Sequence, residues 1–73
     1  MSVKEVEEKI VQIAHEWSKK YGEEVLELTE DELIAYITPQ LSLEQLDIFR
    51  HYKYQMLALF LKTVKEDLQS SNK

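Results

Sequence analysis

The chain has 73 residues and a mass of 8.7 kDa, enough for one hydrophobic core near the lower limit for folding alone and too little for a second domain. Hydrophobic residues make up 44% and charged residues 32%, with one Gly and one Pro, which argues against a disordered tail and against a small β-barrel, since a barrel needs frequent turn residues. There is no Cys, so disulfide frameworks, zinc ribbons and thiol chemistry are excluded. The net charge of −5 speaks against a generic binder of nucleic acid or anionic membrane.

The chain opens Met1-Ser2-Val3-Lys4-Glu5, acidic at once where a signal peptide is basic and then apolar. The longest apolar run, Met56 to Leu61, has six residues against the roughly 20 that cross a bilayer. A soluble, cytoplasmic protein is therefore expected. Charge is uneven. Residues 1–32 hold ten acids and four bases, and residues 33–73 hold four acids and five bases.

One signal recurs at three places. Ser2 with Glu5, Thr29 with Glu32, and Ser42 with Gln45 each fit the capping box, in which the hydroxyl accepts from the N3 amide and the N3 side chain reaches back to the N-cap amide. Hydrophobic staples flank them: Met1 with Val6, Leu28 with Leu33, and Leu41 with Leu46. Helices are expected to begin near residues 3, 30 and 43.

Helix one, over residues 3–21, places Val3, Val6, Ile10, Ile13, Ala14, Trp17 and Tyr21 on one narrow stripe. Early glutamates and the late pair Lys19 and Lys20 suit its dipole. Gly22 stands where a left-handed residue ends a helix. The stretch Glu23 to Leu28 is either an extended link that drops Val25, Leu26 and Leu28 onto the core or a short extra helical turn. Helix two, over 30–38, must stop before Pro39, because a residue preceding proline is pushed out of helical geometry. Helix three, over 43–69, is ~40 Å long. Its apolar residues, among them Leu46, Phe49, Met56, Leu57, Phe60, Leu61 and Val64, spread over more than half of its circumference, wider than an ordinary one-sided stripe. Residues 70–73 are left as a disordered tail.

Leu41-Ser42-Leu43-Glu44-Gln45 also resembles the opening of the long helix in the small phycobilisome-degradation proteins of cyanobacteria, with further similarity at Arg50, Tyr52 and Gln55. The similarity covers under a quarter of the chain, and the second helix that follows in that family is missing here. Nothing of that family's function is carried over.

Few residues suggest chemistry. His15 and His51 have no ligand partner at helical spacing that would build a metal site. Ser18 and Thr63 lie within helices without a His and Asp constellation, and no glycine-rich loop cradles a phosphate. No catalytic, metal-binding or cofactor-binding residue is assigned, and no cofactor is expected. Glu23 to Glu32 holds six acids in ten residues with no base. It reads as a solvated connector or, more sharply, as a docking surface for a basic partner through Glu23, Glu24 and Glu27. Arg50-His51-Tyr52-Lys53-Tyr54-Gln55 interleaves base and aromatic, a pattern that can bind nucleic acid, but its side chains point around most of the helix. Helices two and three also have helix-turn-helix spacing, yet Leu43, Glu44 and Asp47 at the entry are poor DNA contacts.

The expected fold is an all-α, three-helix domain, with helices one and three antiparallel, helix two across one end, and Trp17, Phe49 and Phe60 as core anchors. The apolar surplus on helix three predicts a homodimer through Ile48, Tyr52, Met56 and Leu59. The expected function is a non-enzymatic protein-interaction module, an adaptor or regulator, that self-associates and binds a partner protein through helix three, the acidic segment, or both. The alternative is a nucleic-acid-associated module using Arg50, Lys53, Lys62 and Lys65.

Overall fold

The computed structural model describes residues 2–71. Their regular structure is entirely helical: α1 (Val3–Tyr21), a 3-10 segment (Gly22–Glu27), α2 (Glu30–Ile37), a 3-10 turn (Thr38–Gln40), α3 (Leu43–His51) and α4 (Lys53–Ser71). The all-α class and the three expected helix starts are found.

Capping chemistry sets those starts. Thr29 and Glu32 close a full capping box, as do Ser42 and Gln45, whereas at α1 only one half is made, the Glu5 amide donating to Ser2 Oγ at 3.3 Å. Met1, the outer half of the first staple, lies outside the described residues. α1 ends as expected, at Gly22, whose φ of +62° with ψ of −137° is open only to glycine among ordinary residues. A Cβ there would meet nothing within 4 Å, so Gly22→Ala isolates the backbone term. It should destabilise by about 1–3 kcal/mol, read as a shift in the urea midpoint at unchanged slope.

The stretch after Gly22 is helical rather than extended, a 3-10 segment. At three residues per turn, Val25 and Leu28 share one side. Val25 is buried and Leu28 half-buried against the core, while Leu26 points outward instead of joining them as an extended link would require. α2 stops at Ile37, yet Thr38 keeps helical dihedrals (φ −57°, ψ −39°). The steric rule at X-Pro is a preference, and here the chain tightens into a 3-10 turn containing Pro39 instead of leaving helical space.

Two expectations are corrected. The single long third helix is two helices, broken at Tyr52 (φ −111°, ψ 31°). No Pro or Gly stands there. The Tyr52 amide still donates to the Ile48 carbonyl, and its own carbonyl accepts from Met56, so the bend loses little hydrogen bonding while Phe49 of α3 and Met56 of α4 both reach the core. α4 also runs to Ser71, so Ser70 and Ser71 are helical rather than tail; residues 72 and 73 lie outside the described residues.

The second correction concerns direction. Gln55 donates to Glu7 at 3.2 Å, and His15 Nδ1 lies 2.6 Å from Asp67 Oδ2. Going from the first pair to the second advances about 12 Å along α1 and about 18 Å along α4 in the same sense. An antiparallel pair would leave a mismatch of about 30 Å, beyond the reach of these side chains. α1 and α4 are therefore parallel. Each has 19 residues, and their buried positions match at an offset of fifty: Val6 with Met56, Ile10 with Phe60, Ile13 with Thr63, Ala14 with Val64. An antiparallel hairpin needs only a short loop. Here residues 22–52 fold into the 3-10 segments, α2 and α3 and carry the chain back to where α4 begins.

This arrangement hides more of α4 than the helix pattern alone suggests. Met56, Leu57, Phe60 and Val64 are buried, and Leu59 and Leu61 are half-buried. The broad exposed patch expected between Met56 and Leu61 is absent, because α1 covers one side of α4 and the first 3-10 segment also packs against it.

Candidate functional site

The apolar stripe of α1 ends in a row of rings. Trp17, expected in the core, is only half-buried: its ring meets buried Phe60 of α4, with centroids 5.3 Å apart and planes at 88°. One turn on, Tyr21 meets it edge to face at 6.1 Å and 88°. From α2, Tyr36 approaches the same ring at 6.2 Å and 67°, and Gln40 donates to the Tyr36 carbonyl at 3.4 Å. Perpendicular rings at these distances are the favoured aromatic geometry.

These rings wall a cleft of about 620 Å³ between α1, the first 3-10 segment and α2. Val25 and Leu28 form its apolar lining, and Glu16, Lys20, Glu24 and Gln40 its polar one. Tyr21 is 46% exposed and Tyr36 53% exposed. Among the described residues these are large aromatic surfaces anchored on the core yet open to solvent. A shallower groove of about 680 Å³ runs along α1, where Val11 and Leu59 are flanked by Lys4, Glu7, Glu8 and Lys19.

No family model matches the chain, and no curated protein or solved structure is detectably similar to it.

Of the acidic docking residues, Glu23, Glu24 and Glu27 are all exposed on the 3-10 segment, and Glu24 lines the aromatic cleft. The four interface residues do not form one surface. Met56 is fully buried within the chain and is a core residue, which corrects its assignment. Ile48 packs half-buried against the core, Tyr52 sits at the break, 37% exposed, and Leu59 lines the groove beside α1. Nor do the bases converge: nine residues separate Lys53 from Lys62, which puts them on opposite sides of α4, and Arg50 belongs to α3.

The hydroxyls of Ser18 and Thr63 are spent inside their own helices, donating to the carbonyls of Ala14 and Leu59 at 2.8 Å each. Among the described residues no three His, Asp or Glu side chains gather as metal ligands do, and no helix is long and apolar enough to cross a membrane. Two features escaped the sequence reading. Tyr36 borders the apolar face of α2 three residues after Leu33 but meets Trp17 only through the tertiary fold, and the partner of His15, Asp67, is 52 residues away.

Proposed function

We propose that this protein is a non-enzymatic interaction module that binds a partner protein through the aromatic cleft, with the acidic 3-10 segment forming part of the docking surface. The observation that carries the reading is the exposure of Tyr21 and Tyr36 beside Trp17. Rigid, half-exposed aromatic side chains over an apolar floor are the composition of interface hot spots, where few residues supply most of the binding energy. The carboxylates around them favour a basic partner and speed its approach.

Self-association belongs to the same proposal, through the groove of Val11 and Leu59, whose rim carries both signs of charge, as a patch that meets its own copy requires. The test uses the full chain as bait in extract of the source cells. A partner that docks in the cleft should be lost with Tyr36→Ala, by about 30-fold for a hot-spot residue, and retained with Leu59→Glu. Equal recovery on both baits would reject the cleft. Sedimentation of the same proteins reads the second part: the unmodified chain should dimerise and Leu59→Glu should not.

A further inference from the structure

We infer that the cleft receives the arginine side chain of a basic peptide segment, its guanidinium lying against the rings of Trp17 and Tyr36 and pairing with Glu16 and Glu24. The inference rests on the reading of this cleft as the partner-binding surface and names the chemistry of the guest.

Three features point to a cation. Aromatic faces are electron-rich, and a cation within about 6 Å of a ring centroid is attracted to them. The cleft already accommodates one such contact, since Lys20, on its own rim, holds its Nζ 5.3 Å from the centre of the Tyr21 ring. Its lining carries two carboxylates, Glu16 and Glu24, against the single ammonium of Lys20. Charge in the segments that wall the cleft has the same sign: from Gly22 to Gln40 the chain has six acids and no base. A partner surface laid over this region must be basic to avoid like-charge repulsion.

Arginine fits better than lysine. Its planar guanidinium stacks on an aromatic face and presents a fork of donors to a carboxylate at once, whereas the lysine ammonium is a compact, strongly hydrated point charge. A cleft of about 620 Å³ also has room for apolar stems from the flanking residues of the guest, which half-buried Leu28 would meet.

The test is an NMR titration of the full chain with three blocked pentapeptides, Gly-Gly-Xaa-Gly-Gly, in which Xaa is arginine, citrulline or lysine. Citrulline keeps the shape and removes the charge. The arginine peptide should shift the Trp17 indole N–H and the Tyr36 amide with a Kd of about 1 mM, the citrulline peptide about tenfold more weakly, and the lysine peptide between them. Glu16→Gln with Glu24→Gln, both at exposed positions, should weaken the arginine peptide about fivefold, and Lys20→Gln should strengthen it by removing the resident cation. Equal binding of arginine and citrulline, shifts that centre away from Trp17, or no shift at about 10 mM would overturn the inference. Each of those results is compatible with loss of a captured partner by Tyr36→Ala, so failure of the arginine chemistry is separable from failure of the cleft as a docking surface.

Discussion

Phe60→Ala is expected to destabilise the protein by about 3–5 kcal/mol, the range for removing a fully buried aromatic ring. Phe60 is 0% exposed and occupies the position on α4 that matches Ile10 on α1, at the centre of the parallel pair. It also supports Trp17 from below at 5.3 Å. A chain of 73 residues has a total stability of about 4–11 kcal/mol, so this loss takes at least about a quarter of it and, at the lower end of that range, all of it. Urea unfolding followed by far-ultraviolet circular dichroism gives the global loss, and Trp17 emission should move to longer wavelength even under folding conditions as the ring loses its support. Tyr54→Ala, on the same helix but 70% exposed, should change stability by less than about 0.5 kcal/mol. Similar midpoints for the two variants would mean that Phe60 is not in the core.

Chemical cross-linking should separate parallel from antiparallel pairing of α1 and α4 in an all-or-none way. With cysteines at Glu7 and Gln55, whose side chains are hydrogen-bonded at 3.2 Å, a short bis-maleimide should close within the monomer at high yield. With cysteines at Glu7 and Gln69, about 21 Å farther along α4, it should not. The chain has no native Cys, so no background reaction competes. An antiparallel pair reverses the two yields. The comparison is run at low concentration and read on denaturing gels, where intrachain and interchain products migrate differently.

Much of the local structure was legible in the sequence, because its causes lie within a few residues of where they act. Thr29 with Glu32 and Ser42 with Gln45 close their boxes across three positions, and Gly22 ends α1 through its own dihedral freedom. Val6, Ile10, Ile13 and Ala14 form the buried stripe that their spacing dictates. The acidic bias of the connector, and hence the sign of charge beside the cleft, is plain from composition.

What tertiary structure decided has causes far apart in the chain. Helical periodicity states which face of α1 and of α4 is apolar but is the same read in either direction, so it carries nothing about parallel or antiparallel pairing; the contacts of Glu7 with Gln55 and of His15 with Asp67 settle that. The break at Tyr52 has no Pro or Gly to announce it, and Phe49 and Met56 on its two sides both lie in the core. Trp17 escapes full burial because two of its ring neighbours, Tyr21 and Tyr36, are themselves about half exposed. The candidate site arises from that meeting. Tyr36 alone is an exposed ring on a short helix, and it becomes a wall of a cleft only where the crossover returns α2 to the side of α1.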